Sequence, residues 1–269
     1  MLYQMNVLSI DVGIKNLALC VFNVESKDNY KLLDWTVANL CKEIHIKCKC
    51  GKNANYKFED KFSCKKHIKE TNIPIIPTEL ELNKLKKMKI VEIRELLQSK
   101  NIEFDKKQSK ILLFDYLQNY LEKKYFIPFS NKVNTNDLTL IEIGINLKEK
   151  LDELYSDIKI DTVIIENQIS PIANRMTTLQ GMIAQYFIMK NVNDIHFISA
   201  ANKLKDYIST KTTYAERKSK GIEICEELLI NNEHFSSNLE MFNNHKKKDD
   251  LADCFLQGIW FLKDKIIYN

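Results

Sequence analysis

Glycine and proline are scarce, with six and four among 269 residues. Together with the many Lys, Ile and Asn, this is the composition of an AT-rich genome. Such a genome inflates lysine, so the lysine count alone is no evidence of nucleic-acid binding. Long apolar runs are missing too. None nears the ~20 residues of a membrane-spanning helix, which excludes helical spans. The opening stretch Met1–Asn6 has neither the basic start nor the apolar core of a secretory leader, so an intracellular protein is expected. There is no disulfide framework: seven cysteines, an odd number, scattered outside one cluster, fit reduced thiols and a metal site. No internal repeat is visible. What remains is an ordinary soluble globular composition, 45% hydrophobic and 28% charged, in a chain long enough for one or two domains.

The net charge of +4 hides an asymmetry. Residues 42–124 carry 20 Lys or Arg against 12 Asp or Glu, a balance of +8, and the rest of the chain balances at −4. A basic module joined to an acidic one suits phosphate contact by the basic part, or simply a solvated lysine-rich surface. Hydrophobic patterning predicts three strands, Val7–Asp11, Leu17–Val24 and Tyr30–Val37, and an aperiodic Cys/His/Lys-rich stretch over 41–70. An extended linker with Pro74 and Pro77 follows, then two helical patterns between Leu80 and Lys124. Beyond these come a helix over Leu138–Tyr155 capped by Asp137, a buried strand Asp161–Glu166 and an apolar helix Ala173–Met189. A strand Ile195–Ser199 and helices Tyr214–Leu229 and Asp249–Phe261 complete the pattern. Strands first in a meander and then alternating with helices predict a mixed α/β sheet.

The chemistry concentrates in four acids. Asp11 ends the first strand and Glu166 ends the buried strand, while Asp250 and Asp253 stand three apart on one face of the last helix. Each alone reads equally as a turn former or an N-cap. Four carboxylates placed this way match a site for two hard divalent cations, Mg²⁺ or Mn²⁺, acting on a phosphodiester. Asp249 is the competing ligand to Asp250, and helix geometry favours Asp250.

Ile10-Asp11-Val12-Gly13-Ile14-Lys15-Asn16-Leu17-Ala18 resembles the opening strand of RuvC-type resolvases of the RNase H-like superfamily. Ile164-Ile165-Glu166-Asn167-Gln168, with Arg175-Met176 and Gln180-Gly181-Met182-Ile183, resembles the poxvirus and fungal mitochondrial branch of Holliday junction resolvases. Lys247-Lys248-Asp249-Asp250-Leu251-Ala252-Asp253 resembles that branch's C-terminal acidic motif. The resemblance covers residues 5–40 and roughly 138–262. It implies an RNase H-like mixed sheet flanked by helices, and Asp11, Glu166, Asp250 and Asp253 as catalytic Mg²⁺ ligands, two ions per site. It further implies a homodimer contacting through the helix at 172–189, and four-way DNA junctions as substrate. Lys15, Arg175, Tyr214, Arg217 and Lys218 are the DNA-binding candidates of this core. The last three open a helix whose free N–H groups would also suit phosphate.

Cys48, Cys50, Cys64 and His67 follow C-x-C-x13-C-x2-H, a spacing for structural zinc. The first pair is tight, which leaves Cys41 or His45 as substitute ligands. Leu85–Leu97 and Ser109–Leu113 resemble a SAP domain, a small helical duplex-DNA binder, with Lys110 as its contact candidate. Asn101 and Gln108 stand where that domain usually has glycines.

The expected organisation is a nuclease core over 1–40 and 130–269, a zinc module over 41–70 and a SAP-like module over 79–125. The expected activity is paired, metal-dependent cleavage of branched DNA. Another RNase H-like nuclease, or a non-catalytic DNA-binding protein on the same fold, are the alternatives. Composition and resemblance together suggest a large DNA virus as the source, acting in the host-cell cytoplasm or virus factory, with a mitochondrial resolvase as the other possibility.

Overall fold

The second strand is apolar on both faces: Leu17, Leu19 and Val21 alternate with Ala18, Cys20 and Phe22, and all six are fully buried. A strand of this kind needs a layer on each side. The computed structural model, which describes residues 4–26, 29–41, 46–130, 133–168, 174–207 and 213–266, supplies both layers. The chain forms two compact units, residues 1–42 with 134–269, and residues 43–133. Strands β1 (Met5–Asp11), β2 (Leu17–Ser26) and β3 (Asn29–Ala38) open the first unit. The second holds β4 (Tyr56–Phe58), β5 (Lys61–Ser63), α1 (Lys65–Ile68), α2 (Leu82–Leu85), α3 (Ile90–Ser99), α4 (Lys110–Lys124) and β6 (Ile127–Pro128). The first unit then resumes with α5 (Leu140–Tyr155), β7 (Thr162–Glu166), α6 (Asn174–Met189), β8 (Asp194–Ile198), α7 (Tyr214–Asn231), α8 (Leu239–Asn244) and α9 (Lys248–Phe261).

In the first unit the strand order is β3-β2-β1-β7-β8. The first three strands form the antiparallel meander, and β7 and β8 run parallel to β1. This is the mixed sheet flanked by helices that the sequence predicts. Two neighbours on β3 show the layering. Trp35 Nε1 donates to the Leu251 carbonyl of α9 at 3.2 Å, while Asp34, on the opposite face, accepts from the Tyr155 hydroxyl of α5 at 3.0 Å. Thr139, not Asp137, caps α5: its hydroxyl accepts from the Glu142 N–H, and Glu142 reaches back to the Thr139 N–H. This capping box satisfies two otherwise orphaned donors, which a lone Asp137 two residues upstream does not do. The expected helix start at Ala173 lies outside the described residues.

Helix α9 is held to the sheet by polar bonds in a dry place. Ser9 Oγ donates to the Cys254 carbonyl at 2.7 Å, and Gln257 Nε2 lies 3.2 Å from both Ser9 Oγ and the Ile10 carbonyl. Phe22, Trp35, Phe235 and Phe255 pack around this seam. Gly258 lets the helix come close, since a Cβ there would lie 2.1 Å from the Phe22 ring.

In the second unit, the stretch expected to be a linker is bonded into the structure. Ile76 N–H donates to the Phe126 carbonyl, and Phe126 N–H to the Pro74 carbonyl. Leu80, Leu85, Ile93, Leu97, Leu113, Leu117 and Leu121 form its core. Asn101 takes the left-handed conformation (φ 52°) that a glycine would otherwise supply. It ends α3 with Asn101 N–H bonded to the Gln98 carbonyl and Ile102 N–H to the Leu97 carbonyl, the pair of bonds that closes a Schellman motif.

Two helical glycines should respond oppositely to alanine. Gly258→Ala overpacks Phe22 and should cost about 1–3 kcal/mol. Gly221→Ala on α7, where a Cβ meets only Leu256 at 3.9 Å, should gain up to ~1 kcal/mol from helix propensity. Thermal unfolding of the two variants beside the parent checks both signs.

Candidate active site

Parallel pairing of Ile10 with Ile165 puts the next residues, Asp11 and Glu166, level at the ends of adjacent strands. Asp11 shares a face of β1 with Ser9, the face on which α9 is anchored. On α9, Asp250, Asp253 and Gln257 follow at spacings of three and four, so the bonds of Gln257 also set the height of the two aspartates over the strand ends. The four acids line one cleft of about 420 Å³ with Val12, Gln168, Ala200, Lys203, Leu204, Tyr214, Arg217 and Lys218.

Lys203 lies at the centre of this cleft and is absent from the sequence-based set. Ser199 caps the short turn Ala200–Leu204 after β8, and the turn brings Lys203 back against the sheet. Its side chain is buried, 4% exposed. The ammonium is 2.9 Å from Asp11 Oδ1, 3.2 Å from Glu166 Oε1 and 3.8 Å from Asp253 Oδ2. The only sequence signal for it is a lysine among small and apolar residues just past a strand, which a lysine-rich chain repeats elsewhere.

One ammonium does not neutralise four acids. Burial opposes ionisation of Asp11, but Lys203 overrides it and holds this carboxyl below its ordinary range. Glu166 is pushed up to about 8, by burial first and then by its shared hydrogen bond and charge repulsion with Asp11. Asp253 rises to about 6, again through burial, with Lys203 lowering it and Asp11 raising it. Burial and the neighbouring Asp249 raise Asp250. Burial opposes the charge of Lys203 as well, yet the surrounding acids hold its proton more firmly than usual. Asp250 Oδ2 is buried without a hydrogen-bond partner, Lys247 Nζ being 3.6 Å away. Clustered carboxylates with hard oxygen donors and an orphaned carboxylate oxygen fit divalent cations.

The other candidates divide. Tyr214, Arg217 and Lys218 line the cleft. At the N-terminus of α7 two of the N–H groups are taken by a capping box of Thr213 and Glu216, with Thr213 N–H donating to Glu216 at 2.7 Å. Lys218 pairs with Asp249 at 2.6 Å, so Asp249 is directed to a lysine while Asp250 faces the cleft. Lys15 is exposed and does not line the cleft. Arg175 donates to the Leu138 carbonyl. Lys110, in the second unit, bonds the Lys86 and Met88 carbonyls at 3.0 and 2.7 Å, which fastens α4 to the chain after α2.

Also in the second unit, the ligand atoms of Cys48, Cys50, Cys64 and His67 lie within 4.8 Å of one another. The tight first pair closes because Gly51 adopts φ 79°, its N–H donating to the Cys48 carbonyl while Cys48 N–H donates to the Lys52 carbonyl. Backbone hydrogen bonds from Cys50 and Cys64 lower the Cys48 thiol to about 6. Cys41 is not in this group, and His45 lies outside the described residues. The cluster is compatible with zinc.

Glu166 and Asp253 bind their protons more tightly folded than unfolded. The stability they lend is therefore complete below the unfolded values, ~4, and is lost as pH rises through about 6 and about 8. Asp11, lowered, acts only in more acid solution. In divalent-free buffer these two groups should lower the melting temperature between pH 5 and pH 8, against the opposite contribution of the Cys48 thiol. Glu166→Gln should flatten that slope, and thermal unfolding at constant ionic strength measures it.

Residues 122–265 match the family described as Poxvirus A22 protein. A relative from Acanthamoeba polyphaga mimivirus, "Uncharacterized protein L451", is 26% identical over 314 aligned positions, covering 96% of this chain and 75% of its own length. Among solved structures, the yeast mitochondrial Holliday junction resolvase Ydc2 aligns over 98% of this chain and 82% of its own at 15% identity, with a TM-score of 0.46. T. thermophilus RuvC in complex with Holliday junction substrate aligns over 97% and 96% at 9% identity, with a TM-score of 0.43. The family match spans more than half of the chain and takes in Glu166, Lys203, Asp250 and Asp253, and on that match the chain belongs to the Poxvirus A22 protein family.

Proposed function

We propose that this protein is a Holliday junction resolving nuclease that hydrolyses phosphodiesters in four-way DNA junctions with divalent metal ions. The observation that carries the reading is the convergence of Asp11, Glu166, Asp250 and Asp253 in one cleft, in a chain of this family. Asp11, Glu166, Asp250 and Asp253 would hold two Mg²⁺ or Mn²⁺ ions. Bound there, the ions supply Lewis acidity toward the scissile phosphate and its attacking water. The chain's own residues do the rest. Lys203 sets a fixed positive charge between Asp11 and Glu166. Arg217 and Tyr214, which line the cleft, would hold a backbone phosphate, beside Lys218, which also lines it and pairs with Asp249. These contacts give grip without sequence choice.

The second unit, with its basic excess, is read as the arm that grips duplex, its α3–α4 pair SAP-like and its Cys48-Cys50-Cys64-His67 cluster a structural zinc site. A homodimer would supply two sites for paired cuts. Exposed Ile141 and Ile145 on α5, and Ile188 and Met189 on α6, support contact through these helices. No helix among the described residues is long and apolar enough to cross a membrane. The family and the mimivirus relative favour a viral source, with action in the host-cell cytoplasm or virus factory rather than the mitochondrion.

The parent protein with Mg²⁺ should cut a four-way junction into paired nicked duplexes and leave linear duplex and RNA–DNA hybrid largely intact. Asp11→Asn should lose cleavage by a factor of at least ~10² while still shifting the junction on a gel. Cutting of the hybrid alone would sink this reading. Separately, elemental analysis should find one zinc per chain. Cys64→Ser should lose it and render residues 46–70 protease-sensitive, because so small a segment with few apolar residues needs its metal to fold.

A further inference from the structure

Glu166 divides its two carboxylate oxygens between partners on different elements. Oε1 meets Lys203 at 3.2 Å, and Oε2 accepts from Gln168 Nε2 at 2.9 Å. Gln168 is in turn bound on both sides of its backbone. Its N–H donates to Gln180 Oε1 at 2.7 Å, and its carbonyl accepts from Thr177 Oγ1 at 3.1 Å. Thr177 and Gln180 are three apart on α6, hence on one face. Gln180 is a buried amide, 7% exposed. A backbone N–H fixes which end of the Gln180 amide is oxygen, and a carboxylate fixes which end of Gln168 is nitrogen. Sheet pairing has ended here: Asn167 N–H makes the last bond to β8, 2.7 Å from the Ile198 carbonyl. Beyond it, α6 side chains take over the backbone of the segment that carries the glutamate.

We propose that Gln168 and Gln180 are positioning residues that fix the orientation of the Glu166 carboxylate in the cleft and tie it to helix α6. A glutamate at a strand end has three free torsions, and a carboxylate that must present one oxygen to cations needs the other one held. Lys203 alone does not do this, because its ammonium is shared with Asp11 and Asp253. Through Gln180 the hold originates in α6, the helix offered above for contact between copies, so a shift of that helix reaches the Glu166 carboxylate by way of Gln168. The inference rests on the reading of the cleft as a metal-dependent nuclease site.

The test uses the full-length protein with Mn²⁺ as probe. Calorimetry or electron paramagnetic resonance reports ion binding, and junction cleavage against Mn²⁺ concentration reports use of the ion. Gln168→Met, at a half-buried position, and Gln180→Leu should each weaken Mn²⁺ binding by about 10-fold or more. Both should raise the Mn²⁺ needed for half-maximal cleavage by the same factor, with junction affinity in Ca²⁺ unchanged. Gln180→Glu keeps an oxygen on the Gln168 N–H and should recover most of the binding. Mn²⁺ affinity at the parent level in Gln168→Met overturns the proposal, and so does an equal loss in Gln180→Glu and Gln180→Leu. Asp11→Asn separates the failures. If it loses Mn²⁺ while Gln168→Met keeps it, only the positioning role falls. If Asp11→Asn binds Mn²⁺ as the parent does, the metal site itself falls with it.

Discussion

The seam between α9 and the sheet is the constraint on which the site depends. Two of the four acids are on that helix and two are on the strands beneath it, so every distance in the cleft is a distance across this seam. The helix approaches until Gly258 touches the Phe22 ring. Ser9 and Gln257 then fix its sliding and rotation with bonds formed away from water, where a misplaced polar group costs about 1–3 kcal/mol. Apolar packing alone would tolerate small shifts along the helix axis. The buried serine and glutamine do not, because their partners are fixed atoms on β1, β7 and α9 itself.

The remaining elements extend this arrangement outward. Parallel pairing of β1 with β7 brings Asp11 and Glu166 level without any loop to vary. β8 adds the turn that carries Lys203, and α7 brings Tyr214 and Arg217 to the wall. Trp35 and Asp34 show how one strand serves both helical layers at once. The layer of α5 and α6 bears on the site through Gln180 and Thr177.

Much of this was legible beforehand, for identifiable reasons. Strands and helices of the first unit follow from apolar periodicity. The four acids stand out because charge at the end of an apolar run needs an explanation. Cys48, Cys50, Cys64 and His67 declare themselves by residue type. Lys203 does not, since its role depends on a five-residue turn that leaves no periodic trace. Gln168 and Gln180 were visible only as parts of a motif, because an amide's partner is a matter of geometry. Lys110 read as a DNA-contact candidate, and its ammonium bonds two carbonyls of its own unit. Asp137 read as the cap of α5, while Thr139 with Glu142 had the better local chemistry. Asn101 supplies the left-handed turn at the end of α3 without a glycine, because its short polar side chain tolerates that region.

Lys203 also bears on how such a protein matures. Four acids brought together with no cation among them would push the strand ends and α9 apart. A tethered ammonium between Asp11 and Glu166 offsets part of that repulsion during folding, whatever ions surround the newly made chain. On the proposed metal reading, folding and loading would be separate events, and an arriving ion would meet an internal competitor rather than a bare charge cluster. The reach of one lysine side chain thus helps hold together carboxylates that would otherwise repel one another.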